Sequence, residues 1–114
     1  MDVIGPLQLR VMKFIWKNGP STVHAVHDAL NDEKGAPTLA YTTILTVMRN
    51  LAKREILEQT AQGRSHVFAP LLSDNDYRAQ VLQAIRNDLF AGKTKAMLEF
   101  IEQAPEFKRG RKKA

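Results

Sequence analysis

The sequence predicts a mostly α fold carrying one small β-hairpin. Three observations support this: three helix-forming stretches divided by Gly and Pro, a glycine-centred hairpin after the third, and two amphipathic stripes towards the C-terminus. A chain of 114 residues has room for one domain, or for a small domain with an appendage. With 44% apolar and 25% charged residues, its composition is that of a soluble globular protein.

Gly5-Pro6 opens the first helix and Asn18-Gly19-Pro20 closes it. Leu7, Val11, Met12, Phe14, Ile15 and Trp16 cover most of its circumference, leaving an arc to Arg10, Lys13 and Lys17. Such a helix is expected to be buried on more than one side. Ser21 or Thr22 caps a second helix, on which Val23, Val26 and Leu30 form one stripe. The polar, breaker-rich stretch from Asn31 to Pro37 reads as a loop. A third helix is expected over Ala40 to Arg54. Two β-like runs follow, Leu57–Thr60 and Ser65–Ala69, joined by Ala61-Gln62-Gly63-Arg64. Gly63 supplies the positive φ of a tight turn, and Pro70 ends the second run. Three helices and then a hairpin is the order of a winged helix-turn-helix, with the hairpin as the wing.

Ser73 and Asp76 form an S-x-x-D capping box for a further helix, with Leu72 placed to staple onto Tyr77. Leu82, Ile85 and Leu89 run along it at helical spacing. After Gly92, Met97, Leu98 and Ile101 form a second stripe, which Pro105 stops. Two short helices cannot bury these faces on each other alone, so a second copy of the chain is expected to cover them. The expected organisation is a winged-helix domain at 1–71, a helical dimerisation region at 72–104 and a disordered basic tail at 105–114.

Net charge is +5, but residues 106–114 hold five basic residues against Glu106, a net +4 of that total. Overall charge therefore says little about a polyanionic partner, and the position of the basic residues has to decide. The third helix does so. Ile44, Val47, Met48 and Leu51 fall in one arc and face the core. Thr42, Thr46, Arg49, Asn50 and Lys53 lie opposite, with Thr43 on the flank, and no acid occurs before Glu55. A solvated helix usually mixes acids with its cations. A face of short hydroxyls, an amide and two cations can instead lie close to a DNA duplex. There Thr meets thymine methyls, Asn pairs with adenine and Arg pairs with guanine. Arg64 and His66 sit at the hairpin tip, where a wing meets phosphate or the minor groove. These eight residues are the candidate DNA contacts, and double-stranded DNA is the expected partner.

Leu39 to Met48, continued by Leu51-Ala52-Lys53-Arg54, resembles the recognition-helix signature of the penicillinase repressor family, the BlaI/MecI-type transcriptional regulators. Gly63 to Pro70 resembles that family's wing, Leu9 to Trp16 its first helix, and Phe90-Ala91-Gly92 the turn within its dimerisation region. The resemblance spans roughly Pro6 to Glu102. It implies a homodimer on a pseudo-palindromic operator that blocks transcription. It also implies an upstream membrane-sensor protease pathway, since the best-known members are cleaved in their C-terminal region in response to β-lactams. Copper-responsive relatives carry a C-terminal cysteine cluster, and this chain has no Cys. Where many members add an acidic C-terminal helix, this chain has Pro105 and a basic tail.

Other chemistries find little support. The lack of Cys removes disulfides, thiolate metal sites and cysteine nucleophiles, and suits a reducing compartment. The N-terminus lacks the pattern of a signal peptide and no apolar run is long enough to span a bilayer, so the cytoplasm is the expected location. His24 and His27 share a helix face at i, i+3, but no further ligand stands at metal spacing. Asp74 and Asp76 suit a helix first turn better than paired acid–base work. No phosphate loop or nucleophile elbow occurs, and neither an enzyme nor a cofactor is expected. Two alternatives remain from the residues alone. One is a ligand-sensing regulator. The other is a winged-helix protein-interaction module, whose outer helix face should carry apolar anchors; Leu45 is the one candidate there.

Overall fold

The computed structural model describes residues 3–35 and 37–112, and side chains through Lys108. The chain divides into two compact units, Ile4–Tyr77 and the C-terminal helices from Arg78 onward.

In the first unit, α1 (Pro6–Asn18), α2 (Val23–Asn31) and α3 (Tyr41–Lys53) follow in order, with a two-residue strand β1 (Ser21–Thr22) between the first two. The hairpin is β2 (Leu57–Gln62) and β3 (Ser65–Pro70). The antiparallel sheet has the order β1-β3-β2, so β3 is central, pairing Ser21 with Phe68 on one side and Gln59 with Phe68 on the other. The core is built from the expected stripes. Val11, Met12 and Ile15 of α1, Val26 and Leu30 of α2, Ile44, Met48 and Leu51 of α3, and Phe68 of β3 are all buried. Leu7, Leu9, Phe14 and Trp16 pack around this core, so α1 is covered on more than one side.

Thr22 caps α2 by accepting the Ala25 N–H at 3.1 Å, and it also pairs with Val67 in the sheet. A two-residue strand leaves no alternation to read, which is why β1 is not visible in the sequence. The second hairpin strand starts at Ser65 as expected, but the strands run further, β2 through Gln62 and β3 through Pro70, leaving only Gly63-Arg64 in the turn. Ala61 and Gln62 are exposed like the rest of β2 beyond Leu57, so no alternation of polarity marks these two as strand. Gly63 has φ +61° and Arg64 does not share the positive φ, the pattern of a type II′ turn.

Leu72 and Tyr77 belong with the winged domain. The Trp16 indole N–H donates to the Leu72 carbonyl at 2.8 Å, and the Tyr77 hydroxyl accepts the Ile4 N–H at 2.9 Å. The Tyr77 ring lies 5.7 Å from that of Trp16. These ties carry the first unit past the 71/72 boundary expected from sequence, to Tyr77.

The C-terminal helices are α4 (Asp74–Leu89), α5 (Thr94–Gln103) and α6 (Pro105–Lys112). Ser73 Oγ accepts the Asp76 N–H at 3.0 Å, which is half of the expected capping box. Ala91 (φ +51°) and Gly92 (φ +75°) turn the chain between α4 and α5. A helix at α6 departs from the disordered tail expected there. Pro105 ends α5, but its fixed φ also suits the first position of a new helix, and Glu106 complements that helix's N-terminal dipole. The last two residues, and the side chains of Arg109, Arg111, Lys112 and Lys113, lie outside what is described.

Candidate DNA interface

The loop before α3 is closed by Asn31. Its side-chain amide donates to the Leu39 carbonyl at 3.0 Å, and its carbonyl oxygen accepts the Leu39 N–H at 2.7 Å. His27 Nε2 lies 3.0 Å from the same carbonyl oxygen. Two α2 side chains therefore fix the residue that leads into α3. The far end of α3 is closed as firmly. The Ile56 N–H donates to the Leu51 carbonyl and the Glu55 N–H to that of Ala52, both at 3.0 Å, with Glu55 left-handed at φ +61°. This is a Schellman motif, and the buried Leu51 and Ile56 supply its apolar contact.

Between these ends, Ile44, Met48 and Leu51 are inside while Thr42, Thr43, Thr46, Arg49, Asn50 and Lys53 are all exposed. Val47, expected in the core arc, is half-buried against it. Arg64 and His66 are exposed at the wing turn and on β3. The eight candidate contacts therefore lie on two surfaces of one unit, six on α3 and two on the wing. No acid occurs from Tyr41 to Lys53.

Some features at this surface were not anticipated from sequence. Tyr41, the first residue of α3, is 37% exposed. Its ring centroid lies 4.8 Å from that of His24 and 5.8 Å from that of His27. The two histidines are thus engaged with an aromatic ring, and among the described residues no cluster of three or more His, Cys, Asp or Glu could hold a metal. Tyr41 lies 17 and 14 positions from these histidines, a separation with no periodic signature.

In the C-terminal unit, Leu82, Leu89 and Leu98 are exposed while Ile85, Met97 and Ile101 are half-buried. Phe100 and Phe107 are exposed as well, at 58% and 55%. Phe90 and Phe100 pack ring to ring at 5.7 Å, and the Arg86 guanidinium donates to Thr94 Oγ1 at 3.1 Å across the turn. Ala104 is the one buried residue among those described from Arg78 onward, so this unit encloses no core of its own and leaves Leu82, Leu89, Leu98, Phe100 and Phe107 open.

The penicillinase repressor family model matches residues 4–109. The chain is 39% identical over 69 residues to a transcriptional regulator BlaI of Mycobacterium tuberculosis, covering 60% of this chain and 48% of that protein. It is 29% identical over 100 residues to a penicillinase repressor of Bacillus licheniformis, covering 87% of this chain and 76% of that one. The chain thus spans about half the length of the mycobacterial relative. Among solved structures, the DNA-binding domain of the repressor BlaI superposes with a TM-score of 0.56 at 31% identity, covering 65% of this chain and 87% of that one. The monomeric form of B. licheniformis BlaI in complex with the blaP half-operator gives 0.54 at 30% identity, covering 67% and 89%. The winged helix read from the residues is the fold of these neighbours, and the family is one of transcriptional repressors, not of enzymes.

Proposed function

Because this chain belongs to the penicillinase repressor family, we propose that it is a sequence-specific DNA-binding repressor acting as a homodimer on a pseudo-palindromic operator. The observation that carries this reading is the outer face of α3. Thr42, Thr43, Thr46, Arg49, Asn50 and Lys53 are solvent-facing and acid-free on a helix pinned at both ends. Rigid placement matters because base readout depends on bidentate geometry at fixed depth in the major groove. In this division of labour the α3 side chains read base edges, while Arg64 and His66 contact backbone or minor groove. The relative solved with a half-operator supports the same use of the same unit.

The dimer reading rests on the open apolar surface of α4 and α5. Leu82, Ile85, Leu89, Met97, Leu98 and Ile101 gain an apolar environment when a second copy covers them. A two-fold dimer presents two recognition helices, and an operator with matching symmetry follows from that geometry. By kinship, a membrane-sensor protease pathway is the upstream partner. The cytoplasm is the compartment in which such a repressor meets DNA, and no helix among the described residues is long and apolar enough to cross a membrane.

Selection of bound duplexes from a random pool tests the reading. It should enrich one sequence with inverted half-sites. A pool that stays unenriched, although the protein is folded, would refute sequence-specific binding.

A further inference from the structure

A groove lies between the wing, the first turn of α3 and the start of α2, and most of its lining belongs to none of the eight candidate contacts. Val23 and Leu45 give it apolar surface, and His24, Tyr41, Arg64 and His66 give it polar groups. Among the described residues no acidic side chain lines it. The Tyr41 ring is packed against His24 at 4.8 Å and His27 at 5.8 Å, and His27 is in turn held at the Leu39 carbonyl.

We infer that this groove seats a phosphate of the DNA backbone, with His24 and Tyr41 as ligands beside Arg64 and His66, and that seating it draws protons onto the histidines. The inference rests on the DNA-binding reading above. Phosphate oxygens need hydrogen-bond donors, and the groove offers a phenol, a guanidinium and two imidazoles with no competing carboxylate. Phosphate contacts fix the register of a protein on a duplex without reading its sequence. A phosphate held between wing and helix would set the depth at which Thr42 and Thr46 meet the bases. A backbone phosphate is favoured over a free anion because the wing and α3, which line the groove together with Thr22, Val23 and His24 at the start of α2, would meet the same duplex.

Imidazole is the side chain that changes charge between about pH 5 and 8. A phosphate beside it favours the charged form, so the complex holds the proton more tightly than the free protein does. By linkage, DNA affinity then rises as pH falls. The other groups facing this cluster are the Tyr41 phenol from α3, Arg64 from the wing, and His27 on α2. His27 Nδ1 lies 3.5 Å from the Asp28 carboxylate. A phosphate contact that raises a histidine's proton affinity tenfold would tighten binding about fivefold between pH 8 and pH 6.

The test uses the full chain, a short random-sequence duplex and fixed ionic strength, with affinity measured at pH 6 and pH 8. The wild type should bind about fivefold tighter or more at pH 6. The His24→Gln variant should lose a large part of that ratio, and the His24→Gln, His66→Gln double variant should lose nearly all of it. Tyr41→Phe keeps the ring and should weaken binding severalfold at both pH values. The His24 ring resonances should move with stoichiometric duplex but not with the same concentration of inorganic phosphate. If the double variant keeps the wild-type ratio while binding DNA, the phosphate seat is wrong and the DNA reading stands. If inorganic phosphate moves the ring as strongly as duplex does, the groove is a free-anion site and the inference falls. If no duplex binds at either pH, the DNA reading itself has failed.

Discussion

Asn31, the last residue of α2, hydrogen-bonds both backbone groups of Leu39, at 2.7 and 3.0 Å, and so sets where α3 begins. One side chain thereby closes the loop from Asp32 to Thr38. Removing it takes from the partly buried Leu39 N–H its side-chain partner and leaves the carbonyl to His27 alone. Asn31→Ala should cost about 1–3 kcal/mol of unfolding free energy. Urea denaturation measures it, and the same variant should bind its operator more weakly because the lead-in to α3 is freed.

Glu55 occupies the left-handed position of the Schellman motif at the end of α3, at φ +61°. Glycine adopts that conformation without the steric cost a side chain carries. Glu55→Gly should stabilise the protein by about 1 kcal/mol, because the relieved strain exceeds the added freedom of the unfolded chain. A higher urea midpoint with an unchanged slope is the expected result.

Leu82 and Leu89 share the face of α4 proposed to meet a second copy, and they are 46% and 66% exposed in the single chain. Each buried leucine contributes about 1.5–3 kcal/mol, and a two-fold interface counts every substitution twice. The Leu82→Asp, Leu89→Asp variant should sediment as a monomer at micromolar concentration with its helical circular dichroism intact. A variant that remains dimeric would place the interface elsewhere.

Residues 106–114 hold most of the net positive charge. Deleting them should weaken binding to operator and random DNA by similar factors. The slope of log affinity against log salt should fall by roughly 2–3 units, as expected for two or three phosphate contacts. Filter binding across a salt series measures both quantities.

The elements most legible in the sequence are those whose own residues carry a repeating pattern. Val23, Val26 and Leu30 marked the buried stripe of α2, and Ile44, Met48 and Leu51 that of α3. The exposed side of α3 followed from the same periodicity. Features that depend on distant partners were not legible. Asn31 looks like the start of a polar loop until Leu39 is seen against it. Tyr41 reads as the start of a helix until His24 and His27 are found packed on its ring. Pro105 reads as a stop because proline ends helices, yet it also begins them, and only the chain beyond it decides which. The boundary at Tyr77 depends on a hydrogen bond to Ile4, 73 residues away.

Base reading by the outer face of α3 is tested most directly with Asn50→Ala, since Asn50 is exposed at the middle of that face's second half and no backbone pairing depends on its side chain in the described structure. Affinities of wild type and variant are measured on the duplex selected from the random pool and on a scrambled duplex of equal length and salt. Loss of about 1–3 kcal/mol on the selected duplex, with little change on the scrambled one, is the predicted result. Equal losses on both duplexes would mean that Asn50 holds the backbone and that α3 does not read sequence there.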